Sequence, residues 1–219
     1  MTELLNNPIV YDDVFSYKDC TKFYEEIEDS PNWCYNMSAT REGFMGTIFP
    51  HRAWGINLLN PKTQYFNDKT PGWIAGHVSL DARVAMHRTD KLLAKPGLLS
   101  YLDARTNYSL NLANREILFA HFNGQTYGQD APYHKDYQIT VMVYLTVPWR
   151  EDWGGEFRFL DTNRKSEDEY REIEYKPGRV LIIDGEQFHR NMSPTVKNVL
   201  RISLSIHLGR QFEYEIIKI

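Results

Sequence analysis

Two histidines and one aspartate have the types and the spacing of a metal-binding set. His134 and Asp136 are separated by one residue, and His189 follows far downstream. In a β-strand, residues two apart point to the same side, so His134 and Asp136 can both face one cavity. Two imidazoles and one carboxylate suit Fe(II), Mn(II) or Zn(II), and on Fe(II) this facial set leaves positions open for oxygen and a co-substrate. Because a His-x-Asp pair also arises by chance, the pair alone is a weak signal.

The position of His189 supports its inclusion in that set. It lies just beyond the apolar run 180–183, which predicts a buried strand that ends at a loop. A ligand at a strand end is held by a rigid sheet and stays open to substrate. The other histidines are interpreted as ordinary core or surface residues, with His121 as the first among them to reconsider: His51, His77, His87, His121 and His207.

An arginine on a later predicted strand extends the possible site. Residues 199–208 alternate between apolar side chains and a second face that carries Arg201 and Ser203. An edge strand with one solvated face explains this pattern. If Arg201 instead faces the metal cavity, its buried guanidinium needs an anion, and a diffusible dicarboxylate held by a bidentate pair would supply one. Ser203 could donate to the same carboxylate, and Tyr144 could do so from a neighbouring strand or could serve only as a core residue.

The bulk composition indicates a globular enzyme or binding domain. The chain has 219 residues, of which 42% are hydrophobic, and this is enough for one core and a single domain. A formal net charge of -4, without a basic stretch interleaved with aromatic residues, argues against nucleic acid as a partner. We expect no membrane span and no signal peptide, and we expect Cys20 and Cys34 to be free thiols in a reducing, cytoplasmic compartment.

The pattern of breaks predicts two kinds of structure along the chain. A helix is expected over Ser16–Ser30, capped by Ser16 and ended by Pro31, and two helical pieces are expected over 81–106, broken at Pro96-Gly97. Short strands and loops are expected over 32–80, and the charged run 163–171 reads as a loop. Further strands are predicted at 116–123, 137–146, 155–161, 172–176, 179–184 and 199–208. Many short strands with Gly and Pro between them favour a sandwich or a barrel-like roll.

A series of motifs in the second half of the chain follows a recognisable order. The motifs are His134-x-Asp136, Val141-Met142-Val143-Tyr144-Leu145, Trp149, Gly154-Gly155-Glu156-Phe157-Arg158-Phe159, Lys176-Pro177-Gly178-Arg179-Val180-Leu181, His189, Pro194 and Arg201-x-Ser203. This order resembles the Fe(II)/2-oxoglutarate-dependent oxygenases, particularly their prolyl 4-hydroxylase-like branch. The resemblance covers roughly Phe122 to Leu208 and is specific as an ordered set.

The resemblance implies a fold and a division of the chain. We expect a mainly β protein with flanking α-helices, built as a double-stranded β-helix (a distorted, cupin-like jelly roll). Within one domain of residues 1–219, residues 116–210 would form this core with the iron site. Residues 1–115 would support the core and shape the substrate pocket.

The resemblance also implies a site. His134, Asp136 and His189 would bind Fe(II). Arg201 would pair with the distal carboxylate of 2-oxoglutarate, with help from the hydroxyls of Tyr144 and Ser203. Two aromatic residues would be further co-substrate contacts: Phe122, on the strand that leads to the triad, and Tyr127, just after it.

The implied reaction consumes O2 and 2-oxoglutarate, releases succinate and carbon dioxide, and hydroxylates an unactivated C–H bond, with ascorbate as an expected stimulant. The substrate class implied is an amino acid, a peptidyl residue or a small natural product. Halogenating relatives have a small residue in place of the carboxylate, so Asp136 favours hydroxylation, while desaturation, epoxidation and ring closure stay open. Two other hypotheses stay open at this point: a cupin-type metal enzyme that does not use 2-oxoglutarate, and a non-catalytic jelly-roll binding module.

Overall fold

The computed structural model describes residues 5, 7–12, 14–31, 33–37, 53–59, 98–136, 138–161 and 169–211. Within these ranges the helices are α1 (Tyr17–Glu28) and α2 (Leu98–Arg105). The strands are β1 (Ile9–Tyr11), β2 (Cys34–Met37), β3 (Ala53–Leu59), β4 (Arg115–Gln125), β5 (Ile139–Tyr144), β6 (Phe157–Leu160), β7 (Tyr170–Ile173), β8 (Val180–Asp184), β9 (His189–Asn191) and β10 (Arg201–Gln211). No helix within the described ranges is long and apolar enough to cross a membrane.

The strands form two antiparallel sheets, as the mainly β prediction required. The larger sheet has the order β1-β8-β5-β10-β4-β3-β2, and the smaller has the order β7-β6-β9. From β1 to β4 in this order, neighbours in the larger sheet are not consecutive strands, because the chain crosses to the smaller sheet and back, as it does in a jelly roll. This crossing brings β4, β5 and β10 side by side on one wall of the molecule.

The two faces of the larger sheet pack into different layers. On β5, Val141 and Val143 point into a core shared with α1 and α2, whereas Met142 and Tyr144 point toward the smaller sheet. Side chains from β6 and β8 complete this second layer, among them Phe157 and Leu181. The period-two alternation of β5 therefore separates a structural face from a face that can line a site.

Helix α1 begins after the predicted cap Ser16 and ends at Glu28, two residues before the predicted end at Ser30. The Ser16 hydroxyl accepts a hydrogen bond from Asp19 N at 3.1 Å, and Asp19 Oδ2 accepts one from Ser16 N at 3.2 Å. This capping box contributes about 1 kcal/mol of helix stability. Cys20 and Ile27 form the buried stripe, with Phe23 and Tyr24 packed partly buried beside them, and Cys20 is a free thiol.

Other predicted boundaries shift by a few residues. The helical piece after Pro96-Gly97 is α2, whereas the piece predicted before it lies outside the described residues. The strand predicted at 172–176 is instead β7 at Tyr170–Ile173, so the chain leaves the sheet before Tyr175 and this side chain turns into the layer between the sheets. The chain then reverses before β8 at Gly178. Its φ of +80° favours glycine, and its missing Cβ leaves room for the backbone of Phe15.

Candidate metal centre and co-substrate site

Backbone pairing between remote segments brings the three predicted ligands together. His134 N donates to His189 O at 2.9 Å, and His189 N donates to His134 O at 3.0 Å, which forms an isolated antiparallel bridge beside β9. Asp136 N donates to Gly185 O at 2.7 Å, so the segment before β5 is tied to the loop after β8. These bonds place the two imidazoles and the carboxylate at one end of the space between the sheets.

The ligand atoms have the spacing of a metal-binding set. His189 Nε2 lies 3.2 Å from Asp136 Oδ2, and His134 Nε2 lies 3.7 Å from Asp136 Oδ1. One ligand atom from each residue lies within 4.8 Å of the others. Ligands that each sit about 2.0–2.2 Å from a common ion are expected to be about 3–4 Å apart. The three side chains are buried or nearly so, so an ion between them would be shielded from bulk water.

Each histidine ring is oriented by a backbone carbonyl. His134 Nδ1 lies 2.9 Å from Pro132 O, and His189 Nδ1 lies 2.7 Å from Gln187 O. A carbonyl oxygen can only accept, so in the neutral rings the proton is on Nδ1 and the lone pair is on Nε2. Both Nε2 lone pairs therefore face the Asp136 carboxylate. Three electron-rich groups facing one another repel unless a cation lies between them, which is the arrangement that metal-binding histidines show.

The electrostatics of the cavity keep Asp136 ionised. Burial alone would raise the pKa of Asp136, but the imidazoles of His134, His207 and His189 around it more than offset burial and hold this pKa well below its usual value. His207 Nδ1 lies 3.6 Å from Asp136 Oδ2 and 3.0 Å from Thr140 Oγ1. The acid is thus ready to serve as an anionic ligand at neutral pH.

Two histidines that we interpreted as ordinary residues from sequence line the same cavity. The rings of His121 and His207 stack with centroids 5.3 Å apart and planes 3° apart. Burial and the neighbouring His207 lower the pKa of His121 to about 3, and burial lowers the pKa of His207. Both are therefore neutral hydrogen-bonding groups. The remaining polar lining of the cavity, also missed from sequence, is Asn123, Gln125, Asn191 and Ser205.

Alternation along the strands was the signal that could have found this lining. His207 lies on the same face of β10 as Arg201, and on β4 the residues His121 and Asn123 are cross-strand partners of Ser205 and Ser203. The polar side of β10 that the sequence revealed is therefore a wall of the cavity and not a solvated edge. All residues from Arg201 to Gly209 are buried.

Arg201 is fully buried at 0% exposure and has only neutral partners. Its Nε donates to Gly155 O at 2.9 Å, and its two terminal nitrogens donate to Gln125 Oε1 at 3.0 Å and Asn191 Oδ1 at 3.1 Å. Its Cζ lies 5.1 Å from the ring centroid of Tyr144. Among the described residues, no carboxylate pairs with it. A buried guanidinium without an anion is costly, so this end of the cavity fits a ligand that carries a carboxylate.

Two buried hydroxyls near Arg201 could donate hydrogen bonds to the same ligand. Ser203 and Tyr144 are cross-strand neighbours on β10 and β5, and both hydroxyls are buried. Within the described part of the chain, neither hydroxyl donates a hydrogen bond to an acceptor, and the Tyr144 oxygen interacts with the Arg201 guanidinium. Burial raises the pKa of Tyr144, so its hydroxyl keeps its proton and can donate. The nearby Tyr175 is different, because its hydroxyl donates to Ile202 O and accepts from the amides of two β5-end residues, Leu145 and Thr146.

The two remaining predicted co-substrate contacts lie elsewhere. Phe122 is 2% exposed and packs in the core on the other face of the larger sheet, because its neighbours His121 and Asn123 take the cavity side of β4. Tyr127 lies in the turn after β4 and is 55% exposed, with Lys197 Nζ 5.9 Å from its ring centroid. The structure therefore brings together the triad, Arg201, Tyr144 and Ser203, and it leaves these two residues outside.

Comparisons with known proteins agree with this geometry. Residues 113–208 match the 2OG-Fe(II) oxygenase superfamily. A 2OG-Fe(II) oxygenase family oxidoreductase from Burkholderia pseudomallei has 13% identity and a TM-score of 0.60 over 94% of this chain and 88% of that chain. A prolyl-4-hydroxylase from Pseudomonas putida has 14% identity and a TM-score of 0.50 over 93% of this chain and 92% of that chain.

A third similar structure is a prolyl hydroxylase from Trichoplax adhaerens, solved with a peptide fragment of hypoxia inducible factor. It has 12% identity and a TM-score of 0.56 over 94% of this chain and 84% of that chain. No curated protein has a matching sequence. At these identities the solved structures show a shared fold, and they confirm the expected double-stranded β-helix.

The family match decides among the hypotheses that the sequence left open. It supports an oxidoreductase that uses Fe(II) and 2-oxoglutarate, and it does not support a cupin-type enzyme without 2-oxoglutarate or a non-catalytic binding module. The His-Asp-His group and the buried guanidinium lie within the matched residues. Residues 113–208 of this chain, which contain these groups, are thus similar in sequence to the 2OG-Fe(II) oxygenase superfamily.

Proposed function

We propose that His134, Asp136 and His189 bind Fe(II) and that the enzyme hydroxylates an unactivated C–H bond. The observation that supports metal binding most strongly is the orientation of the imidazoles of His134 and His189. Each directs its Nδ1 at a carbonyl, so both Nε2 lone pairs converge on an ionised carboxylate. Such a set has neutral and anionic donors but no cation of its own, and Fe(II) is the ion that this ligand combination suits in an oxygenase.

Arg201 is proposed to anchor 2-oxoglutarate by its distal carboxylate. The guanidinium is buried without an acid, and the Ser203 and Tyr144 hydroxyls near it donate no hydrogen bond in the described part of the chain. A charge-assisted pair with two additional donors would satisfy all three groups at once. The inner face of β10 runs from Arg201 to His207, which lies near Asp136, so one wall joins the anchor to the metal centre.

The residues of this chain perform binding, orientation and exclusion of water. When bound, Fe(II) supplies the activation of O2 that is coupled to decarboxylation of 2-oxoglutarate to succinate. Asp136 stays anionic and would be one of the residues that hold Fe(II), which favours hydroxylation over transfer of another anion. The carbonyls of Pro132 and Gln187 fix the ring orientation of the two histidines.

The substrate is proposed to be an amino acid, a peptidyl residue or a small natural product. The similar prolyl hydroxylase from Trichoplax adhaerens was solved with a peptide fragment, which supports a peptidyl substrate by analogy of fold. The neutral polar lining of the cavity, which includes His121, Asn123 and Ser205, fits a substrate or co-substrate that makes hydrogen bonds.

The test combines metal binding with succinate release. We expect the wild type to bind one Fe(II) under anaerobic conditions and to release succinate with at least one substrate class among free amino acids, proline-containing peptides and small natural products. Asp136→Ala should lose both properties, because it removes the anionic ligand. Asp152→Ala is the matched control, since that carboxylate is exposed and pairs with Arg150 on the surface. Unchanged Fe(II) binding in Asp136→Ala would remove Asp136 from the site.

A further inference from the structure

One buried indole N–H lies unused near the side chain of Arg201. Trp149 Nε1 is buried and has no hydrogen-bond partner within the described ranges. An indole N–H can only donate, and buried donors in native proteins nearly always find an acceptor. Trp33 shows the usual outcome in this same chain, because its Nε1 donates to Ile27 O at 2.8 Å.

The position of Trp149 ties it to the guanidinium of Arg201. The Trp149 ring lies 4.2 Å from the Tyr175 ring, and Tyr175 in turn lies 4.9 Å from Arg201 Cζ and stacks on Tyr144 at 4.3 Å. The Tyr175 ring therefore contacts the indole of Trp149, the guanidinium of Arg201 and the ring of Tyr144. Its own hydroxyl is saturated, so it offers nothing to a ligand.

Gly155 shows which edge of the indole approaches Arg201. A Cβ on Gly155 would lie 2.6 Å from Trp149 Cζ2 and 3.2 Å from Arg201 Cδ, and Gly155 O already accepts from Arg201 Nε. Cζ2 is the ring carbon on the side of the indole that carries Nε1. The Cζ2–Cη2 edge of Trp149, in which Cζ2 is two bonds from Nε1, and Arg201 Cδ thus both lie against Gly155, whose lack of a side chain makes the approach possible.

We propose that Trp149 donates its indole N–H to the same co-substrate carboxylate that pairs with Arg201. Three unused buried donors, on Tyr144, Ser203 and Trp149, belong to residues in the neighbourhood of the Arg201 side chain, and a single carboxylate with its four lone-pair positions can accept one hydrogen bond from each of them and one from the guanidinium. Trp149 is a binding residue in this arrangement. The inference rests on the proposed co-substrate site and adds to it a residue that discriminates a dicarboxylate from a monocarboxylate.

The test compares two keto acids on two variants. Dissociation constants of 2-oxoglutarate and of 2-oxovalerate, which lacks the distal carboxylate, are measured by anaerobic calorimetry on Fe(II)-loaded protein. Trp149→Phe should weaken 2-oxoglutarate binding about ten- to a hundredfold, the loss expected for a hydrogen bond to a charged group. It should change 2-oxovalerate binding less than twofold. Trp153→Phe is the matched control, because it removes the neighbouring indole, 5.7 Å away, and should change neither.

A second measurement keeps the inference testable if Trp149→Phe does not fold. In Zn(II)-loaded wild type with 15N-labelled tryptophan, the indole N–H resonance of Trp149 is assigned by exclusion from variants of the other tryptophans. It should move downfield with 2-oxoglutarate and stay with 2-oxovalerate. An unmoved resonance, or equal weakening of both keto acids in Trp149→Phe, overturns the inference. If neither Trp149→Phe nor Arg201→Met changes the affinity for 2-oxoglutarate, the proposed co-substrate site fails as well. If Arg201→Met loses affinity and Trp149→Phe does not, only the assignment of Trp149 is wrong.

Discussion

Replacing Arg201 by methionine should separate co-substrate binding from folding. Methionine has a similar length and no charge, so it fills the same buried space without the guanidinium. Arg201 is fully buried and donates only to neutral oxygens of Gly155, Gln125 and Asn191. In the protein without co-substrate, the substitution therefore removes a charge that has no opposite charge in contact with it among the described residues.

The expected magnitudes follow from those contacts. Loss of one partner of a buried charge pair costs about 2–5 kcal/mol of binding free energy, so the affinity for 2-oxoglutarate should fall by roughly thirty- to several thousandfold. The free energy of unfolding has two opposing contributions. Relief of an uncompensated buried charge stabilises the fold by several kcal/mol, whereas three acceptors that lose their donor cost about 1–3 kcal/mol each. The net change in stability should stay within about 2 kcal/mol.

The assay pairs anaerobic 2-oxoglutarate titration of the Fe(II)-loaded protein with urea unfolding of the metal-free protein. Arg158→Met is the matched control, because Arg158 lies on β6 and already pairs with the Glu156 carboxylate. That control should keep the affinity of the wild type for 2-oxoglutarate. A near wild-type affinity in Arg201→Met would refute the anchor, and a large loss of stability would show that the guanidinium serves the fold.

Two further predictions concern the histidines of the cavity. His207→Phe should weaken Fe(II) binding about ten- to a hundredfold in chelator competition, because it removes the imidazole nitrogen 3.6 Å from Asp136 Oδ2 and keeps the ring stacked on His121; an unchanged Fe(II) affinity would contradict this. The second prediction uses the pKa of His121, which burial lowers from 6.5 to about 3. The unfolded chain takes up this proton as the pH falls below 6.5 while the folded protein does not, so this contribution to stability is complete above that pH and is lost progressively toward pH 3. His121→Gln should reduce the slope of unfolding free energy against pH in that window, by up to about 1.4 kcal/mol per pH unit, in urea titrations of the metal-free protein; equal slopes would argue against a buried neutral imidazole.

The sequence was most informative where chemistry follows from local spacing. His134 and Asp136 are two residues apart, and Arg201 shares a strand face with Ser203, so period-two geometry was sufficient to group them. The cap of α1 is equally local, because Ser16 and Asp19 contact each other within one turn. The His134 and Asp136 pair, the strand face shared by Arg201 and Ser203, and the first helix could therefore be predicted without knowledge of the rest of the fold, whereas the addition of His189 could not follow from local spacing.

What the sequence missed depends on register between remote strands. His207 reaches Asp136 only because β10 pairs with β5 so that His207 lies opposite Thr140. Phe122 was expected at the co-substrate, but a strand has two faces. The pairing of β4 with β10 directs His121 into the cavity and Phe122 into the core on the other face of the sheet. A shift of one residue in register reverses such an assignment, and no local pattern in β4 sets it.

The irregular segments were missed for a different reason. Tyr175 follows the end of β7, and its hydroxyl is held by backbone groups at the end of β5 and on β10. The three-residue strand β9 is too short to give a hydrophobic period, yet its pairing with β6 places Phe159 opposite His189. The partners of both features come from distant parts of the chain, so they become visible only when the two sheets are assembled.

A crystal structure of the protein with Mn(II) and 2-oxoglutarate, phased to show the anomalous signal of the metal, tests the central claim most directly. We expect one peak bonded to His134 Nε2, His189 Nε2 and the Asp136 carboxylate, with the far carboxylate of the ligand against the Arg201 guanidinium. A metal held by His121 and His207 instead, or a ligand that leaves Arg201 with its neutral partners alone, would contradict the account.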